Sequence, residues 1–319
     1  MKTVFIDRSL CSGRIRENAR PEHICSYIKA LADAGVKYVE LDFHSILKLH
    51  ELPDGIGYIF RMRDPAFAEL MNVFDFSYVV VTLEDIRRRF RLTAPAIMEL
   101  PSRTRLSHGL VRLINSQLDG HVGMIRLCGD FGLMTMQEAA GFVLGLKNSV
   151  TVPVDLCPTN DGRTALDSAV KLSLTGADSV TLCTGNSRRF ASFEEYMFTM
   201  MSVYSTIPHE LNLAAVLRAS VYRRLVFEGA QDCVGEIMRL IDHDINNLIN
   251  VDTGAQSKLH VALRDSQLLH RYFATALERM AQEEDIPEDI LDEITAALAH
   301  FDMTLFSPEI RQEGTGLLN

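Results

Sequence analysis

The chain has 319 residues, 47% hydrophobic and 23% charged, enough apolar material for a full core and the balance of an ordinary globular protein. Its formal charge of −10 argues against nucleic acid or an anionic membrane surface as the main partner. No stretch is apolar enough to span a bilayer, and Met1 leads straight into a strand pattern without a basic, apolar and cleavable leader, so a cytoplasmic protein is expected.

The first strand is read at Val4–Ile6, with Asp7 where the apolar run stops and Ser9, Ser12 and Gly13 opening a loop. Pro21–Gly35 reads as a helix with Ile24, Tyr27, Ile28 and Leu31 on one face, and Lys37–Phe43 as a second strand. Glu40 and Asp42, two apart, share a side-chain direction if that strand runs through both. Gly57–Met62 is a third strand, with Arg61 and Arg63 at its edge. Pro65–Val73 is helical, Phe76–Thr82 a fourth strand, and Glu84–Arg91 an arginine-rich helical segment. Such a run is usually a solvated face; the sharper alternative is an anion site.

Ala94–Leu100 is the fifth strand, Leu106–Leu118 an amphipathic helix and Met124–Leu127 the sixth strand, running into Cys128, Gly129, Asp130. A helix over Thr135–Leu146 precedes a seventh strand, Val150–Leu156, which ends Cys157, Pro158, Thr159, Asn160, Asp161. A helix at Ala165–Leu174 stops at Gly176, and the eighth strand, Ser179–Leu182, ends Cys183, Thr184, Gly185, Asn186.

Eight short strands alternating with helices predict an α/β chain whose parallel sheet closes as a (β/α)8 barrel over 1–208, with its site at the C-terminal ends of the strands. A helical appendage is expected over 209–319, read as Leu211–Phe227, Cys233–Leu248, Leu259–Glu283 and Pro287–Phe301, its apolar faces needing the barrel or a second subunit. Its histidines, His243, His260, His270 and His300, lack the spacing of a metal site. The six cysteines, Cys11, Cys25, Cys128, Cys157, Cys183 and Cys233, show no CxxC spacing, as expected of reduced thiols.

The strand ends resemble, in order along the whole chain, those of the metal-dependent TIM barrels of homocitrate synthase, isopropylmalate synthase and hydroxymethylglutaryl-CoA lyase, the DRE-TIM metallolyases, with nitrogenase-type homocitrate synthases most alike. That family's DTTLRDG resembles Asp7–Gly13, its IEVGFP resembles Val39–His44, its DTVGILTP resembles Gly129–Met136, and its HxHND resembles Cys157–Asp161, followed by Gly176, Ala177, Asp178 for its GAD. The resemblance implies carbon–carbon bond formation or cleavage on a 2-oxo acid or acyl-CoA, a homodimer, and a divalent ion such as zinc, magnesium or manganese. That ion is held by the first Asp, both histidines and an Asn after the eighth strand.

Here Asp7 is kept, Cys157 and Thr159 take the histidine positions, and the Asn is either Asn186 or replaced by Phe190. The catalytic arginine is Cys11, with its acidic neighbour kept as Glu40; Arg8, Arg14 or Arg126 are the nearby cations that would have to replace it. The candidate set is therefore Asp7, Cys11, Glu40 and Asp130 for catalysis, Arg8, Arg61, Arg126 and Asn160 for substrate, and Asp7, Cys157 and Asn186, with Cys183 as a further thiolate, for a metal. A metal-free version uses Cys11 or Cys157 as nucleophile with Glu40, Asp130 or Asp155 as proton acceptor. The alternative of a different class is a non-catalytic binding or regulatory barrel derived from the same family.

Overall fold

The computed structural model describes residues 3–227 apart from 13–14, 50, 63–64, 83–91, 103, 105–106, 118–121, 186–188 and 205–210. The arginine run at 87–91, Arg14, Asn186 and the three helices read beyond residue 230 lie outside the described residues.

Eight strands, β1 (Val4–Asp7), β2 (Tyr38–Leu41), β3 (Gly57–Arg61), β4 (Tyr78–Thr82), β5 (Ala96–Pro101), β6 (Val122–Gly129), β7 (Val154–Pro158) and β8 (Ser179–Leu182), pair in parallel with their chain neighbours. β1 also pairs with β8, Val4 opposite Ser179 and Asp7 opposite Leu182, which closes the barrel. The helices follow the strands: α1 (Ser9–Ser12), α2 (Pro21–Asp33), α3 (Phe43–Ile46), a 3-10 helix at Pro65–Asn72, α4 (His108–Gln117), α5 (Met136–Ser149), α6 (Ala165–Leu174), α7 (Phe193–Tyr204) and α8 (Leu213–Phe227). The (β/α)8 barrel expected from the alternation is the observed architecture.

Local chemistry accounts for the element ends. α2 starts at Pro21, whose missing N–H costs nothing there, and its exit turn uses Gly35 at φ 90°. α5 opens on a capping box in which the Thr135 hydroxyl accepts from the Glu138 N–H while Glu138 accepts from the Thr135 N–H. Strand bounds shift by a few residues from the sequence reading, and two of the shifts have a local cause. Val150 closes the last turn of α5 by donating to Leu146 O (3.1 Å), so β7 begins at Val154. β2 stops at Leu41, because Asp42 caps α3 by accepting from Ser45 N–H (3.0 Å) and so leaves the face that Glu40 occupies. The helical segment read at Pro65–Val73 is a 3-10 helix over Pro65–Asn72.

Along each strand alternate residues face the lumen. Ile6, Ile59, Val80, Ile97 and Met124 form one apolar layer there, with Tyr38 and Tyr78 packed edge to face at 5.5 Å below it. A Cβ on Gly57 would fall 2.5 Å from the Tyr38 ring, so that position is held small by the tyrosine plug. Outside the strands, α8 joins the barrel's main core: Val216, Ala219, Tyr222 and Val226 are buried with Ile24, Tyr27 and Ile28 of α2. Asn212 N–H donates to Ala34 O (2.9 Å), and Arg218 pairs with Asp33. The first helix read after residue 208 is thus packed on the barrel wall.

Candidate functional site

The parity of β1 decides the site. Ile6 faces the lumen, so Arg8 does too, and Asp7 faces the helical layer. The Asp7 carboxylate accepts from Ser9 N–H (3.0 Å), Ser9 Oγ (2.8 Å), Tyr27 OH of α2 (3.0 Å) and Thr184 Oγ1 (3.1 Å). Thr184 N–H in turn donates to Ser9 Oγ (2.7 Å). Burial, only partly offset by these donors, pushes Asp7 up to about 6. Asp7 therefore ties the end of β1 to α2 and to the turn after β8. That turn is braced again by Glu194, which accepts from Gly185 N–H (2.9 Å) and whose own carboxyl is pushed up by burial.

Above the apolar layer, inward positions on or just after six of the eight strands carry charge, the sixth being Asp155 of β7. Arg8 follows β1, Glu40 lies on β2, Arg61 on β3, Glu99 on β5 and Arg126 on β6. Glu40, fully buried, meets all three arginines: Arg8 Nε at 3.3 Å, and Arg61 and Arg126 in closer ion pairs. Glu99 takes both ends of the Arg61 guanidinium. Asp155 of β7 binds Arg126 Nε (2.5 Å) and is held by Ser179 Oγ (2.9 Å) and Thr181 Oγ1 (2.8 Å).

Burial opposes ionisation of Glu40, but Arg61, Arg126 and Arg8 outweigh it and hold the carboxyl well below the usual range; Arg61 does the same for Glu99. Burial likewise opposes the charge on Arg8, and Glu40, Cys157, Cys128 and Glu99 outweigh it. Two nitrogens in this network, Arg8 Nε and Arg126 Nη2, are buried without a hydrogen-bond acceptor among the described residues.

Three thiols top the network. Cys128 of β6 and Cys157 of β7 are register partners, and Cys183 follows β8. Arg8 Nη1 lies 3.1 Å from Cys157 Sγ and 3.6 Å from Cys128 Sγ, and the Arg8 guanidinium stands 4.8 Å over the Phe190 ring. Cys128 is half-buried, and the hydrogen bond it shares with Cys157 lowers it to about 7, with Arg8 and Arg126 helping. Burial pushes the Cys157 thiol up. Cys11, buried in α1, is also pushed up by burial and by Glu40.

The structure thus brings together Arg8, Arg61, Arg126, Glu40 and Cys157 of the residues singled out from sequence. Asp130 and Asn160 shape the rim: Asp130 accepts from Gly132 N–H (2.7 Å) and Thr164 Oγ1 (3.0 Å), and Asn160 Oδ1 accepts from Ala165 N–H (3.3 Å) at the start of α6. Glu99 and Cys128 belong to the mouth and were not singled out. The readable signal for Glu99 was an acid two residues after Ile97 in an otherwise apolar strand; for Cys128 it was the Met124, Arg126, Cys128 alternation.

The residues present do not fit the divalent ion that the resemblance implies. Both Asp7 oxygens are taken by four donors and Cys157 faces a guanidinium, a cation that repels a metal ion. Phe190 offers no ligand atom, and it pairs by a β-bridge with Thr159, whose hydroxyl donates to Asp161 (2.8 Å). No group of three His, Cys, Asp or Glu side chains among the described residues is arranged to hold a metal ion.

The fold and this polar mouth define a closed (β/α)8 barrel with a cluster of charged side chains and thiols at the C-terminal ends of its strands. No family model matches the chain. Its sequence is similar to the omega subunit of homocitrate synthase from Clostridium pasteurianum, 22% identical over 244 residues, 72% of this chain and 67% of the relative. In fold it is similar to hydroxymethylglutaryl-CoA lyase of Bacillus subtilis, with TM-score 0.55 and 12% identity over 75% of this chain and 98% of that one. It is also similar to the carboxyl transferase domain of Rhizobium etli pyruvate carboxylase solved with pyruvate, with TM-score 0.53 and 10% identity over 91% of this chain and 64% of that one. The structural likenesses bear on fold alone; with the homocitrate synthase similarity they bear out the resemblance to the DRE-TIM metallolyases. No helix among the described residues is long and apolar enough to cross a membrane.

Proposed function

We propose that the barrel mouth binds a small 2-oxo acid and makes or breaks the carbon–carbon bond beside its carbonyl, with an acyl thioester as the second reactant. The observation that carries this reading is the strand-end cluster of three arginines at the mouth, Arg8, Arg61 and Arg126, gathered on Glu40, with Arg126 Nη2 making no hydrogen bond among the described residues. Arginine forks suit a carboxylate and an adjacent oxo group. The likeness to homocitrate synthase and to a carboxyl transferase domain solved with pyruvate supports the substrate class.

In this reading the oxo oxygen of the bound acid lies against Arg8, which is charged at every working pH and offsets the negative charge that grows on that oxygen as an enolate forms. Cys128 takes the proton from the carbon next to the carbonyl. It is half-buried at the mouth, lowered to about 7, and kept as the thiolate of its pair by the Cys157 thiol, so its basicity suits neutral pH. The test is proton NMR of pyruvate in deuterated buffer. Enzyme-dependent loss of the methyl signal, abolished by Cys128→Ala, is expected; a stable signal with every 2-oxo acid tried, alone and with acetyl-CoA, overturns the catalytic reading.

A binding barrel without catalysis is the second reading. It is favoured by the pairing of Glu40, Glu99 and Asp155 with arginines, which leaves none of the three as a proton acceptor. Saturable binding of a 2-oxo acid with no exchange at any pH would move the function to it.

A further inference from the structure

The cation of this mouth is part of the chain. Of the positions that the resemblance offers for metal ligands, Cys157, Thr159 and Phe190, the last being the alternative to Asn186, come together through the Thr159–Phe190 bridge and the cluster that packs Cys157 against Phe190. The Arg8 guanidinium stands against two of the three, 3.1 Å from Cys157 Sγ and 4.8 Å from the Phe190 ring centroid. The guanidinium is well fixed: Glu40 faces its Nε, Glu99 lies 3.8 Å from Nη1, and the residue is only 7% exposed.

Each substitution fits a guanidinium better than a metal ion. An aromatic face attracts a cation and offers a metal no ligand. A neutral thiol accepts an N–H. The parity of β1 turns Asp7 out to Tyr27 and Arg8 inward, against Cys157.

We propose that the Arg8 guanidinium is the fixed cation of this site and holds the carboxylate and oxo oxygens of a 2-oxo acid in place of a divalent ion, so that binding is independent of metal. This rests on the proposed substrate class. It adds that the chain has exchanged an acquired charge, lost to chelators and to low metal, for a covalent one that neither condition removes. Arg126, wholly buried beneath, shares Glu40 with Arg8 and so helps to hold the Arg8 guanidinium in place.

The test is isothermal titration of the full chain with oxalate, a planar dianion with the oxygen pattern of an enolised 2-oxo acid, and with pyruvate. Each is run after dialysis against EDTA and again with magnesium, manganese or zinc added. The expected result is the same Kd in all conditions, and a loss of about 10- to 100-fold in Arg8→Met, the value of a charged hydrogen-bonding pair. Arg8→Lys, which keeps the charge that Glu40 and Glu99 face but loses the fork, is expected to fall between the two. Circular dichroism confirms that each variant is folded, and Arg8→Lys carries the comparison if Arg8→Met is not.

Binding lost in EDTA and restored by a metal overturns the proposal while leaving the substrate class standing. So does unchanged binding in Arg8→Met. Absence of oxalate and pyruvate binding in every condition overturns the substrate class itself, and the proposal with it.

Discussion

Replacing Asp7 by Asn separates an anchoring carboxyl from a ligand. Oδ1 of Asp7 accepts from Ser9 N–H and Tyr27 OH, while Oδ2 accepts from the Ser9 and Thr184 hydroxyls. An Asn side chain keeps the first oxygen and places its NH2 toward two hydroxyls that can rotate to accept, so all four contacts survive without a charge. In the wild type the carboxyl rises from 3.8 to about 6 on folding, a difference of about 3 kcal/mol. The folded state binds the proton more tightly than the unfolded state, so this contribution is full below about pH 4 and is lost as pH rises to about 6.

Asp7→Asn has no such loss. Its stability relative to wild type should therefore climb by about 3 kcal/mol between pH 4 and pH 7, while the titrations common to both proteins cancel. Urea denaturation followed by circular dichroism at four pH values measures the difference. A flat difference, or an Asn variant that weakens relative to wild type as pH rises, refutes the buried, proton-holding anchor. Asp7→Ala, which strands the Ser9 N–H while the Tyr27 hydroxyl keeps Thr184 Oγ1 (2.9 Å), should be less stable than Asp7→Asn throughout, by about 1–3 kcal/mol.

Glu40→Gln should destabilise the fold by about 3–5 kcal/mol, read as a fall in the urea midpoint, because three buried arginines then share Glu99 and Asp155 alone. The wild-type contribution has the usual carboxylate sign: present above the ordinary Glu range and lost as pH falls, since Glu40 is held low in the fold. Among the described cysteines, Cys128 should be the first alkylated by iodoacetamide, with a rate midpoint near pH 7 and with Cys157 and Cys11 protected by burial. Peptide mass spectrometry assigns the site, and faster labelling of Cys25 would contradict the ordering.

The barrel was legible because each strand is a short apolar run set off by turn residues, and eight such runs alternate with helical faces. Arg8, Arg61, Arg126 and Glu40 were also legible, as charges at the ends of those runs. The direction of β1 was not. Phe5 and Ile6 are both apolar, so nothing in Val4–Asp7 distinguishes the lumen face from the helix face, and Asp7 matched a ligand position by order along the chain alone. Only the barrel's register, with Asp7 opposite Leu182 and Tyr27 behind it, shows which of Asp7 and Arg8 points inward. Asp42 was paired with Glu40 for a related reason: a side-chain cap to Ser45 N–H ends the strand at Leu41, two residues sooner than its apolar pattern.

The central claim is that a guanidinium, and no metal, meets the substrate anion. Crystals grown with oxalate and excess manganese, measured across the manganese edge, test it most directly. The account predicts oxalate oxygens within hydrogen-bond distance of Arg8 and no anomalous peak in the mouth. A manganese peak between oxalate and Cys157, with Arg8 swung aside, would contradict it.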